Sequence, residues 1–126
     1  MIKVYGVPGW GSAISEVMLT LAEIPYQFID VKGFDAEGPQ RDLLQKLNPL
    51  CQIPTLALEN GEIMTESAAI ALMILDRRPD LAPPVGHAER QRAQRFRPAS
   101  LARYSAASAS AIVCSAVLPF SEQAIP

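Results

Sequence analysis

The succession "IKVY" (2–5), "AISEVMLTLAEI" (13–24) and "YQFIDV" (26–31) restricts the possible folds of this chain more than any other feature. Two short runs rich in β-branched and aromatic residues flank a segment in which Ile14, Val17, Met18, Leu21 and Ala22 fall at helical spacing. The loop "GVPGWG" punctuates the first boundary, and Ser12 stands at the expected N-cap. Glu16 lies in the first turn, where the helix dipole favours an acid, and Pro25 prevents continuation. A helix that connects two strands of one sheet makes those strands parallel.

Downstream, "KGFDAEGPQ" reads as a polar loop, and Pro39 suits the first turn of a helix "QRDLLQKL" with Leu43, Leu44 and Leu47 on one face. Asn48-Pro49 stops that helix. "TLAL" (55–58) and "IMT" (63–65) form a hairpin, with Asn60-Gly61 expected to supply the positive φ angles of its turn. Thr65 is the expected cap of a helix over 66–76. The order is β-α-β-α-β-β-α, and four strands accommodate three helices only when the sheet is covered on both faces. This is the thioredoxin-like α/β layout, expected over residues 1–80. "RRPDLAPPVG" (77–86) is a proline-rich connector, giving a linker at 81–88, and "HAERQRAQRF" has the pattern to begin another helix.

Residues 99–118, "ASLARYSAASASAIVCSAVL", are dominated by Ala and Ser without a steady apolar stripe. Segment 89–126 is therefore expected to be a fragment of, or replacement for, a helical domain. Its bias suggests that 98–126 is out-of-frame or otherwise non-native sequence after a truncation.

Composition excludes several classes. Apolar residues make up 49% and charged residues 19%, ordinary for a globular protein with a real core. The net charge of −2 comes with no basic cluster that would mark a nucleic-acid surface. Cys51 and Cys114 have neither metal-site nor redox-motif spacing, so reduced thiols are expected and no metal. "SAAIALMIL" is too short to span a bilayer, and no charged leader with a long apolar run follows Met1. A soluble cytoplasmic protein without membrane or nucleic-acid partners is expected.

Chemistry concentrates in "LNPLCQIPTLALENGEIMTESAAIALMIL". A cis bond into Pro54, at the start of a strand, would turn the N–H and C=O of Ile53 outward to pair with an extended ligand backbone, as an added strand does. Glu66-Ser67 opens a helix whose first N–H groups are unsatisfied and favour an anion. Ser67 can add its hydroxyl to hold a carboxylate, and Glu66 can pair with an ammonium. A carboxylate and an ammonium on one carbon describe an α-amino acid, so the two motifs together suit a small peptide-like ligand.

These residues carry a resemblance. "KVYGVPGWGSAISEVMLTLAEIPYQFIDV" followed by "LNPLCQIPTLALENGEIMTESAAIALMIL" resembles the N-terminal, thioredoxin-like domain of the cytosolic glutathione S-transferases, over residues 1 to about 86. The resemblance implies glutathione as co-substrate, with a small electrophile as second substrate in detoxification chemistry. It implies that Ile53, next to cis-Pro54, pairs with the cysteinyl backbone, that Glu66 and Ser67 hold the γ-glutamyl end, and that Gln52 touches the glycyl side. It implies a Tyr, Ser or Cys near the first helix that donates to the glutathione sulfur; here Ser12 is the choice, ahead of the deeper Ser15 and the strand residue Tyr5. It also implies an all-helical second domain and a homodimer, a contact that an incomplete second domain would weaken.

A free thiol has a pKa near 8.5, so only a few kcal/mol are needed to hold it as thiolate at neutral pH. No cysteine occupies residues 6–16, so disulfide-exchange chemistry at the first helix lacks its nucleophile. The alternative function is a non-catalytic glutathione-binding or protein-interaction module. Plainer roles stand beside the functional ones: Ser12 as an N-cap, Trp10 as a surface or subunit contact rather than a ligand cover, Cys51 as a buried filler, His87 as a linker residue, and Arg77-Arg78 as offsets to a helix dipole.

Overall fold

The computed structural model describes residues 1–90. The elements are β1 (Ile2–Gly6), α1 (Ala13–Leu21), β2 (Tyr26–Asp30), α2 (Pro39–Leu47), β3 (Thr55–Ala57), β4 (Ile63–Thr65) and α3 (Ser67–Arg77), followed by a 3-10 turn, Pro79–Leu81. The four strands form one sheet in the order β2-β1-β3-β4. β1 and β2 are parallel with Ile2 opposite Tyr26, while β1–β3 and β3–β4 are antiparallel. The expected thioredoxin-like order is therefore the observed one. Residues 88–90 begin a helical turn, and the remainder of the expected 89–126 segment lies outside the described residues. Among the described residues no helix is long and apolar enough to cross a membrane.

Strand alternation sends neighbouring side chains to opposite faces. On one face Ile2, Val4 and Leu56 pack with Leu19 and Ala22 of the α1 side and Ile70 and Ile74 of α3. On the other, Tyr5 and Val7 pack with Val31, Leu44 of α2 and Cys51. Both faces are covered, as three helices on four strands require.

Several local expectations are corrected. On α1 the fully enclosed positions are Ser12, Ser15, Leu19 and Ala22, while Ile14, Val17, Met18 and Leu21 are half-buried. The reason is close packing: a Cβ at Gly6 would collide with the Ser12 side chain, so only small residues fit where α1 begins. Ser12 occupies the N-cap position with helical dihedrals (φ −71°, ψ −23°), and its hydroxyl makes no capping bond. An N-cap ordinarily has extended dihedrals that aim its oxygen at the helix.

On α2, Leu44 is fully buried and Leu47 packs beside it, but Leu43 is 42% exposed, one residue's rotation of about 100° away. The hairpin turn has positive φ at Gly61 alone, with the Leu58 N–H donating to Glu62 O at 2.8 Å around a three-residue loop. That loop takes a left-handed residue only at its end. The cap of α3 is Glu66 rather than Thr65, which remains in β4. Arg77 and Arg78 form ion pairs with Glu59 and with Asp80 and Glu23, which goes beyond offsetting a dipole.

Candidate functional site

Hydrogen bonding from Asn48 shapes the loop between α2 and β3. Asn48 is buried, and its Nδ2 donates to Gln52 O at 3.1 Å and lies 3.2 Å from Thr55 Oγ1. Its Oδ1 accepts the Leu50 N–H at 3.1 Å, and its carbonyl accepts the Cys51 N–H at 2.8 Å. The Thr55 hydroxyl donates to Gln52 O at 2.8 Å. Every bond closes a short circuit around residues 48–55, so the loop keeps its shape without a regular ladder. Cys51 takes φ 53°, and the Ile53-Pro54 peptide is cis. Reading the sequence missed Asn48 and Thr55 as organisers. The signal available was an Asn at a helix C-terminus followed by Pro, which serves equally as a simple stop.

β3 then starts, and its pairing with β4 sets Thr55 opposite Thr65. The residues just outside that pair, Pro54 and Glu66, are thereby brought to the same end of the hairpin. Glu66 sits at φ 66° and ψ 114°, a backbone region that a non-glycine residue enters only at a cost of order 1–3 kcal/mol. Among the described residues no side chain caps α3. By the geometry of any helix its first N–H groups lack intrahelical partners, so they and the dipole favour an anion.

Phe34, Cys51, Gln52, Ile53, Pro54, Thr65, Glu66 and Ser67 line one cleft of about 380 Å³. That volume lies within the range of small-ligand sites. Five of the six expected site residues, Gln52, Ile53, Pro54, Glu66 and Ser67, are together there. Ser12 is not. It is wholly enclosed, with the Val7 N–H donating to its Oγ at 3.2 Å. Its single proton has two acceptors, Val7 O at 3.2 Å and Glu16 Oε1 at 3.4 Å. Burial pushes the Glu16 carboxyl pKa up, and the Ser12 hydrogen bond opposes that rise. The neighbouring Ser15 Oγ is buried and has no hydrogen-bond partner among the described residues. The start of α1 nonetheless adjoins the cleft, since a Cβ at Gly11 would stand 3.9 Å from Ile53 O. Sequence reading also passed over Phe34, a single aromatic in a polar loop.

Comparison with known proteins gives the same picture. The family model described as glutathione S-transferase, N-terminal domain, matches residues 14–77. The chain is 81% identical over 96 residues to the uncharacterized GST-like protein YncG of Escherichia coli strain K12, covering 76% of this chain and 47% of that protein. It thus spans about half the length of that relative. Among solved structures, a glutathione transferase from Methylococcus capsulatus strain Bath superposes with a TM-score of 0.67 at 23% identity, over 93% of this chain and 64% of that one. The beta-class glutathione S-transferase of Sphingomonas chungbukensis superposes at 0.62 with 27% identity, over 91% and 64%. A sphingomonad glutathione S-transferase complexed with glutathione gives 0.62 at 26% identity, over 91% and 64%. A loop held by Asn48, a cleft shared by Ile53-Pro54 and the opening of α3, and a family model that spans both make this chain a member of the glutathione S-transferase N-terminal domain family.

Proposed function

We propose that the cleft binds glutathione and that the protein presents its thiol for addition to small electrophiles. The observation that carries this reading is the meeting of Ile53, Pro54, Glu66 and Ser67 on one cleft. In it, the Ile53 main chain pairs with the cysteinyl backbone as an added strand would. Ser67 and the first N–H groups of α3 take the γ-glutamyl carboxylate, Glu66 takes the ammonium, and Gln52 meets the glycyl end. That a sphingomonad relative was solved with glutathione supports the ligand's identity.

At the thiol end, Ser12 was the expected donor to sulfur. Its hydroxyl is committed to Val7 and Glu16, so the reading gives it the part of holding the turn from Val7 into α1. The positive end of α1 then favours the thiolate, worth typically 0.3–1 kcal/mol at an exposed helix end. The same enclosure of Ser12 favours a second reading, a glutathione-binding or protein-interaction module with little turnover. A conjugation assay with an aryl halide separates the two readings.

The first reading and the glutathione-binding form of the second require the ligand, and a thermal-shift titration tests for it. Glutathione at 100 times its dissociation constant adds about 2.7 kcal/mol of apparent stability. No shift at millimolar glutathione rejects both ligand-binding versions and leaves the protein-interaction module. A cytoplasmic location and a homodimeric assembly accompany the first reading as parts of the same proposal.

A further inference from the structure

The cleft differs in chemistry from one end to the other. The register of β3 and β4 brings Glu66 and Ser67 beside Pro54, so one end holds an acid, a hydroxyl and the opening of α3. From Pro54 back through Ile53 and Gln52 to Cys51, the chain follows the cleft to its far end, where Phe34 stands. The Cys51 Sγ lies 3.9 Å from Phe34 O and 3.8 Å from Arg41 O, so its weak donor is directed at backbone carbonyls. The Phe34 N–H is taken by Val31 O at 3.0 Å, and the Cys51 N–H by Asn48 O at 2.8 Å. Glu66 is the sole charged side chain among the described residues that line the cleft. Arg41 is not one of them, and its Nη1 donates to Phe34 O at 3.3 Å. The far end thus presents an aromatic ring, a committed thiol and the neutral amide of Gln52.

Building on the glutathione reading, we infer that this end is a subsite that determines specificity at the third residue of the ligand. It selects γ-glutamylcysteinyl thiols whose third residue ends in an uncharged group, an amide or an ester, over those ending in a free carboxylate. With the γ-glutamyl end at Ser67 and the cysteinyl backbone on Ile53, the third residue continues toward Gln52, Cys51 and Phe34. A carboxylate placed there gives up part of its water for an aromatic ring and a thiol that donates elsewhere. Only a cation or several hydrogen-bond donors would offset that loss. The Gln52 side-chain amide donates equally well to the carbonyl oxygen of an amide or ester, whose desolvation costs far less.

The test uses the full chain and three peptides of matched length, titrated by calorimetry at pH 7: glutathione, its glycinamide analogue and its glycyl methyl ester. Wild type is expected to bind the amide and the ester about two- to tenfold more tightly than glutathione. Gln52→Lys supplies a cation at the same end from an exposed position, and should shift the ratio toward glutathione by about two- to fivefold. Equal or tighter binding of glutathione by wild type overturns the inference; if that advantage disappears in Arg41→Gln, the carboxylate belongs to Arg41. A preference for the amide that the ester does not share overturns it too, since the amide's N–H groups and not the lost charge would then carry it. A ratio unmoved by Gln52→Lys, in a variant with wild-type far-UV circular dichroism, removes the third residue from this end and the inference with it. Failure of all three peptides to bind wild type rejects the glutathione reading itself and this inference with it.

Discussion

Thr55 on β3 stands directly opposite Thr65 on β4, and that single register pair sets Pro54 and Glu66 side by side. The two motifs are separated along the chain by a strand, a turn and a second strand, yet they share one cleft because the hairpin folds back at Gly61. A slip of one residue in this hairpin would send every side chain of one strand to the other face. The site thus depends on the register of two three-residue strands.

Ser67→Ala is expected to weaken glutathione binding without unfolding the protein. Ser67 is half-buried at the first turn of α3, and a hydrogen bond to a charged group contributes about 1.5–3 kcal/mol. Calorimetry should show a loss of roughly ten- to a hundredfold. An unchanged affinity would remove Ser67 from the site.

Asn48→Ala removes the buried amide that serves Gln52 O, Thr55 Oγ1 and the Leu50 N–H. Each buried partner left unsatisfied costs about 1–3 kcal/mol, moderated where water enters. Urea unfolding should show a midpoint well below wild type with a similar slope. Glutathione affinity should fall as the Ile53 loop loosens. A variant as stable as wild type would show that the loop holds its shape by other means.

Gly6→Ala places a methyl group where the Ser12 Cβ and hydroxyl already lie. Overpacking of this kind costs about 1–3 kcal/mol, because α1 must move off the sheet. Adding Ser12→Gly should recover part of the loss by opening that space. If the double variant is no more stable than Gly6→Ala alone, the two positions do not compete for space.

Glu59 and Arg77 form a two-pronged pair, Oε1–Nη1 at 3.1 Å and Oε2–Nη2 at 3.0 Å, tying the hairpin turn to the end of α3. The Arg77 guanidinium, chiefly through hydrogen bonding, lowers the Glu59 pKa to about 2 from an ordinary 4.5. A lowered carboxyl pKa means the folded state holds fewer protons, so this stabilisation is present above about 4.5 and lost as pH falls toward 2. Both side chains are substantially exposed, so solvent screening limits the pair to about 0.2–1 kcal/mol. The melting-temperature gap between wild type and Glu59→Gln should be small at pH 7 and close toward pH 2 or in 1 M salt. A gap that persists in acid would argue against the charge pair.

Glu16 behaves in the opposite sense. Its folded pKa is raised by burial, so its charged form weakens the fold as pH climbs through the interval above 4.5. Glu16→Gln keeps an acceptor for Ser12 and removes the buried charge. Its stability relative to wild type should therefore be greater at pH 7 than at pH 4, read from urea midpoints. Equal differences at both values would show that the carboxylate is solvated.

How much was legible follows from the range of the forces involved. Local patterning determined the elements and their order, because β-branched runs, helical spacing, Pro25, Pro39 and the Gly61 turn act over a few residues. The crossover between β1 and β2 left little freedom in topology, and "QIP" with "ES" named most of the cleft before any coordinates. Only the tertiary structure decided which side of α1 faces the sheet. Close approach at Gly6 leaves room only for a small residue at Ser12, and Ser15 is enclosed on the same helix while Ile14 and Val17 lie half-open. It alone joined Asn48 to Thr55 and Trp10 to Phe34, since a hydrogen bond or a ring contact across many residues leaves no periodic trace in the chain.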